Sequence, residues 1–280
     1  MANSANAMHD KICMVTGATS GIGFVTAQAL AREGATVIVV GRNPERGAAT
    51  VDRIQQETSN SAVELMVADL SMQVQVRQLA SEVQRRFAHL DLLINNAGAL
   101  FGQRQLTAEG LEMTFALNHL AYFLLTNLLL DRLKASASAR IVNVSSEAHR
   151  GARLNFADLQ GQHRYRGWRA YAQSKLANVL FTYELARRLE GTGIVANALH
   201  PGFVATNFGR NNLGLTAMLW RILQLAAISP EEGAQTIIYL ASSVEVKDVT
   251  GRYFVKNKAV RSSEASYERA AAERLWQVSA

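Results

Sequence analysis

Tyr171 and Lys175 stand four residues apart in Tyr171-Ala172-Gln173-Ser174-Lys175, where a long helical pattern begins. That spacing puts the phenol and the ammonium on one helical face. A phenol titrates near ~10 and is too weak an acid for proton exchange at neutral pH. A neighbouring cation favours phenolate, so Lys175 is expected to lower the Tyr171 pKa and make it a usable general acid or base. Ser146 closes the run Val142-Asn143-Val144-Ser145-Ser146 and can hydrogen-bond a substrate oxygen. Asn118 lies inside the apolar stretch Leu111–Leu133. A polar side chain buried there needs partners, and Asn118 is expected to hold a water linking Lys175 to solvent.

A second constellation lies near the start of the chain, in Thr16-Gly17-Ala18-Thr19-Ser20-Gly21-Ile22-Gly23. Gly17 permits a tight turn, Gly21 lets backbone approach a ligand, and Gly23 lets the following helix sit close to the strand. The helix start then offers N–H groups and partial positive charge to a pyrophosphate. NAD-binding folds place an acidic residue about 20 positions further on, to hold the ribose 2′-hydroxyl. Here Arg42 stands nineteen positions after Gly23, followed by Asn43. A guanidinium suits a 2′-phosphate through bidentate, charge-assisted hydrogen bonds, so NADP(H) is expected rather than NAD(H). Asp69 and Leu70 can bracket an adenine, while Asn96, Ala97 and Gly98 let backbone pass a ribose.

These residues follow short apolar runs: Lys11–Thr16, Ala35–Val40, Val63–Ala68, Leu90–Ile94, Arg140–Val144, Ile194–Leu199 and Arg252–Val255. Several lack polar alternation, as strands covered on both faces do. Amphipathic stretches separate them: Phe24–Glu33, Pro44–Thr58, Val74–Phe87, Leu111–Leu133, Tyr171–Glu190 and Glu231–Ala241. The alternation predicts an α/β fold, a doubly wound parallel sheet of about seven strands in the Rossmann manner, with helices on both faces. Ligands then bind beyond the carboxyl ends of the strands, where the residues above fall. Without repeats or linkers, residues 1–280 are expected to form one domain.

In order and spacing the chain resembles the short-chain dehydrogenases/reductases. Thr16–Gly23 matches that family's TGxxxGxG, Asn95–Gly98 its NNAG and Tyr171–Lys175 its YxxxK, over Lys11 to about Val255. The resemblance implies a catalytic tetrad of Asn118, Ser146, Tyr171 and Lys175, with Lys175 also on the nicotinamide ribose. It brings Thr19, Ser20 and Ile22 into the cofactor set, and puts Pro201, Gly202, Val204 and Thr206 at the nicotinamide end. Val142–His149, Tyr171–Thr182, His200–Gly202 and Arg274-Leu275-Trp276 further resemble the retinol dehydrogenase-like branch. The implied reaction is hydride exchange with a carbonyl/alcohol pair, the substrate being a small molecule of apolar kind, an aldehyde, a ketone or a retinoid-like compound. Two other readings share some of these residues. A noncatalytic NADP-sensing module would have no need of Ser146, Tyr171 and Lys175 together. Light-dependent protochlorophyllide reductases usually carry a cysteine where this chain has Ala177.

Phe203, Phe208, Leu213, Leu215, Met218, Leu219, Trp220, Ile222 and Leu223 crowd one region, and about 203–228 is expected to form an apolar lid over the substrate. Composition adds exclusions. One cysteine, Cys13, rules out an internal disulfide framework and multi-cysteine metal sites, and no metal is expected. The 280 residues are 49% hydrophobic and 19% charged, ordinary for a globular chain. The net charge of +6 is dispersed, as on a generic basic surface, and no nucleic-acid partner is expected. Met1–Asp10 is polar, without the apolar core of a secretory signal. Leu213–Ile228 is shorter than the ~20 residues of a spanning helix and contains Arg221. A cytoplasmic location follows as an expectation, with at most peripheral membrane contact and a possible homo-oligomer.

Overall fold

One sheet holds eight strands in the order β3-β2-β1-β4-β5-β6-β7-β8. In this computed structural model, residues 8–203 and 228–280 are described. The strands are β1 (Ile12–Thr16), β2 (Thr36–Gly41), β3 (Val63–Val67), β4 (Leu92–Asn95), β5 (Arg140–Val144), β6 (Val195–His200), β7 (Tyr253–Val255) and β8 (Lys258–Val260). All neighbouring pairs are parallel except the last. β1 to β7 answer the seven runs read from the sequence. The eighth strand returns antiparallel through Lys256-Asn257, whose φ angles are 49° and 62°. Two left-handed residues make a turn whose twist matches the strands it joins. The pair lacks the glycine that usually advertises such a turn, which is why β8 is silent in the sequence.

The helices are α1 (Gly21–Arg32), α2 (Pro44–Thr58), α3 (Gln73–Arg86), α4 (Met113–Lys134), α5 (Gly167–Arg188), α6 (Pro230–Ser242) and α7 (Arg269–Ser279). Successive residues of a strand face opposite ways, and β1 shows the consequence. Met14 belongs to a core with Leu93, Leu125, Ile141 and Phe181, whereas Cys13 and Val15 join a second core with Leu30, Val39, Ile94 and Ile237. Both sheet faces are thus covered, which explains the continuous apolar runs. Among the described residues, α4 alone is long and apolar enough to cross a bilayer, yet 67% of its most apolar window is buried within the protein.

Most helix starts move relative to the sequence reading, α1 from Phe24 back to Gly21 and α3 and α6 by one residue each. α4 begins at Met113 because the Glu112 carboxylate accepts from Thr114 N and Phe115 N, each at 2.8 Å. α5 begins at Gly167, so Tyr171 lies in its second turn. Val204, Thr206 and all of the expected lid between Phe203 and Ile228 lie outside the described residues; at its edges, Ile228 N donates to Phe203 O at 2.8 Å.

Candidate active site

Strand order reverses about β1, and the carboxyl ends of β1 and β4 are laced together there. The Thr16 hydroxyl donates to Ile94 O (3.2 Å) and accepts from Asn96 N (2.8 Å) and Ala97 N (3.1 Å). Asn96 Nδ2 donates to Thr16 O at 2.8 Å. Asn96 therefore shapes the glycine turn as well as lining the cleft beside it. Gly17 has φ +65°, and a Cβ on Gly23 would lie 2.4 Å from Gly17 O. Only glycine allows α1 to start this close to the strand end. Ser20, the residue before α1, makes no side-chain cap, so its hydroxyl does not occupy the helix's first N–H groups. This cradle fits the pyrophosphate of a dinucleotide.

A cleft of about 510 Å³ runs from this turn along the strand ends. Gly17, Thr19, Ser20, Gly21, Ile22, Gly23, Arg42, Asp69, Leu70, Asn96, Ala97, Gly98, Ser146, Tyr171, Lys175, Pro201 and Gly202 all line it. Two expected contacts do not. Asn43 lies outside the lining: its Oδ1 caps α2, accepting from Arg46 N at 2.7 Å. Asn118 lies one layer behind the cleft wall. Asp69 lines the cleft, but its Oδ1 is already engaged by Ser71 N (2.9 Å) and Ser71 Oγ (2.7 Å). The sequence reading missed Arg46, a second exposed guanidinium at the same end. Its signal was available: it stands four residues after Arg42, on the first turn of a helix announced by Asn43-Pro44.

At the other end of the cleft, the two serines after β5 divide their tasks. Ser145 Oγ donates to Lys175 O at 2.7 Å and pins α5 to the sheet. Ser146 hydrogen-bonds the Tyr171 side chain. Lys175 Nζ donates to Val144 O at 3.0 Å and lies 5.7 Å from the ring centroids of both Tyr171 and Tyr122. Both reactive groups are buried, Tyr171 7% and Lys175 3% exposed.

That burial overturns the expected direction of the Tyr171 shift. Desolvation pushes the phenol up to about 12, and the Ser146 hydrogen bond only partly opposes it. Burial also brings Lys175 down to about 7. Lys175 Nζ donates to Val144 O, and burial of the phenol sets the direction of the Tyr171 shift. The removal of both groups from water outweighs their proximity.

Asn118 is fully buried in a π-helical turn, Ala116–Leu120, within α4. Its Oδ1 accepts from Ala99 N (2.9 Å), and its Nδ2 donates to Ala99 O (2.9 Å) and Ser174 Oγ (3.0 Å). A Cβ on Gly98 would lie 3.2 Å from Asn118 Oδ1 and 3.3 Å from Lys175 Nζ, so the two groups flank the same backbone. Both amide N–H bonds are committed to protein, and one Oδ1 lone pair is left. The first task of Asn118 is thus to clamp the loop after β4.

The wall beside Tyr171 is apolar: Phe101, Met113, Leu117, Trp168 and Phe203. Trp168 is 58% exposed, three residues before Tyr171 on the same helical face, with ring centroids 5.8 Å apart. Sequence reading passed over Trp168, although that spacing was its signal. The Tyr165 hydroxyl donates to Phe101 O (2.9 Å) and braces this wall. His200 lines the cleft with its Nδ1 buried and without a hydrogen-bond partner among the described residues.

A doubly wound sheet with a phosphate cradle at its switch point, and a Ser–Tyr–Lys cluster beside it, defines a Rossmann-type oxidoreductase. The short chain dehydrogenase family model matches residues 11–213, and the chain belongs to that family. It is an alcohol/carbonyl oxidoreductase resembling the retinol dehydrogenase-like branch. It is 44% identical to mouse (Mus musculus) retinol dehydrogenase 12, over 96% of this chain and 85% of that protein. Human (Homo sapiens) polyprenol dehydrogenase is 42% identical, over 95% and 83% respectively. A short chain dehydrogenase from Escherichia coli CFT073, solved with NADPH, superposes with a TM-score of 0.69 at 28% identity, covering 91% of this chain and all of that one.

Proposed function

We propose that the protein exchanges a hydride between NADP(H) and an apolar carbonyl/alcohol pair, such as a lipid-like aldehyde, a bulky ketone or a retinoid. The observation that carries this reading is the joining of Ser146 to the Tyr171 side chain, in one cleft with Lys175 and the glycine turn. The nicotinamide, when bound, supplies or accepts the hydride. Ser146 and Tyr171 together hold the substrate oxygen. With its proton retained up to about 12, Tyr171 is ready as the acid that protonates an alkoxide during carbonyl reduction. Lys175 holds the ribose, and in its charged form, present below about 7, it adds a cation beside the Tyr171 ring. Asn118 keeps the loop after β4 beside Lys175, and its remaining Oδ1 lone pair can accept from a water that carries protons to solvent.

Arg42 and Arg46, both exposed at the adenosine end, favour a 2′-phosphate; the related E. coli structure contains NADPH. The side chains of Phe101, Met113, Leu117 and Trp168 support an apolar substrate, in keeping with relatives named for retinol and polyprenol. Fluorescence titration of Arg42→Ala tests the cofactor assignment. NADPH affinity is expected to fall about tenfold or more, with NADH affinity within about twofold of wild type, as for loss of a charge-assisted phosphate contact. An unchanged preference would refute the role of Arg42.

A further inference from the structure

We propose that His149 is a positioning residue for Ser146, a buried strut that fixes the serine's backbone so that its hydroxyl meets Tyr171. The inference rests on the reading of Ser146 as the group that orients the substrate oxygen. His149 is fully buried in the 3-10 turn Glu147–Gly151, immediately after Ser146. Its Nδ1 lies 2.7 Å from Ser146 O, and Ser263 N approaches its Nε2 at 3.1 Å.

The backbone partner settles the tautomer. A peptide N–H can only donate, so Nε2 is the acceptor and the ring proton resides on Nδ1. Nδ1–H therefore donates to Ser146 O. That carbonyl also accepts from His149 N at 3.1 Å, which gives it two donors from one residue. The far end of the strut is equally fixed: Ser263 O accepts from Ser266 N (3.0 Å) and Ser266 Oγ (2.5 Å). Tyr253 on β7 packs against the imidazole, with centroids 4.7 Å apart. Burial lowers the His149 pKa, which keeps the ring neutral and able to accept from Ser263.

This arrangement differs from ordinary core filling. The ring ties the end of β5 to the segment after β8, more than a hundred residues away, and it does so through Ser146, whose side chain bonds Tyr171. Loss of the strut leaves the Ser146 carbonyl with its backbone donor, His149 N, alone and loosens the peptide. The hydroxyl then samples positions away from the substrate oxygen, while the glycine turn and Arg42 are untouched.

The test is steady-state reduction of decanal by NADPH, with four variants of the full chain: His149→Leu, His149→Asn, Ser146→Ala and the double variant His149→Leu/Ser146→Ala. His149→Leu is expected to lower kcat about tenfold or more, with the KM for NADPH within about twofold of wild type. His149→Asn carries an amide N–H at the position of Nδ1 and is expected to remain within about threefold of wild type. On the Ser146→Ala background, His149→Leu is expected to change the residual kcat by less than about twofold, because its effect passes through the missing hydroxyl. Equal losses on both backgrounds would overturn the assignment, as would His149→Asn falling as far as His149→Leu. Should His149→Leu fail to fold, His149→Asn against His149→Gln decides. The longer amide misplaces the donor and is expected to be the poorer enzyme; equal activity overturns the proposal. Full activity of Ser146→Ala would instead overturn the reading of the site itself.

Discussion

Tyr171 and Lys175 are both held toward their neutral forms by burial, at about 12 and about 7. The pH dependence of each reaction direction follows from the sign of these shifts. In the proposed mechanism carbonyl reduction uses Tyr171 as an acid, and its proton is present across the whole range below about 12. Alcohol oxidation needs phenolate, whose fraction rises about tenfold per pH unit below the pKa. Log kcat for oxidation is therefore expected to climb with a slope near one from neutral to alkaline pH, while reduction stays nearly flat. A pH-independent oxidation rate would show that another base acts. The Tyr–Lys spacing was plain in the sequence, because four residues make one helical turn. The direction of the shift was not, because it depends on how completely α5, β5 and Tyr122 exclude water. Arg42 was equally legible as a cation at a strand end, whereas Asn43 looked like its companion and instead spends its oxygen on Arg46 N.

Elements hold these groups in place by close approach and by caps. The α1 start depends on Gly23, where a Cβ would meet Gly17 O at 2.4 Å and Asn96 Nδ2 at 2.6 Å. Gly23→Ala must push α1 away from β1, and NADPH affinity is expected to fall about a hundredfold in titration, in line with the helix-to-strand contact that position makes possible. Retained affinity would mean that the cradle is not the phosphate site. The glycine pattern makes this geometry legible in the sequence. The π turn around Asn118 was hidden, because the partners of its buried amide, Ala99 and Ser174, lie 19 and 56 residues away in sequence. Strand and helix types followed from periodicity, while boundaries moved by a few residues, at α4 because the Glu112 cap sets the first turn.

The whole molecule is closed by its last helix. Trp276 of α7 packs edge-on against Phe123 of α4 (4.9 Å) and tilted against Phe181 of α5 (5.8 Å), with Arg188 4.2 Å from its ring. Ser279 Oγ lies 3.1 Å from Nε2 of His119, within the π turn. The C-terminal helix thus braces the two helices that carry Asn118, Tyr171 and Lys175. Trp276→Ala is expected to cost about 2–4 kcal/mol of stability, at the lower side of large-to-small core losses because the ring is only partly buried. Calorimetry should show Tm lowered by roughly 4–10 °C, and an unchanged Tm would contradict this bracing role. In sequence, Arg274-Leu275-Trp276 carried only a resemblance. Its partners lie about 90 to 150 residues away, and no local pattern joins them.

The most direct test of the account is Tyr171→Phe, followed by the loss of reduced-nicotinamide absorbance when NADPH and decanal are mixed with it. The substitution removes one oxygen atom and leaves the ring to pack. The account predicts NADPH affinity within about threefold of wild type together with a loss of turnover of about a thousandfold or more, the scale expected for removing a general acid that is also a substrate-oxygen ligand. Turnover within about tenfold of wild type would contradict it, since the proton would then reach the substrate by a route without the phenol.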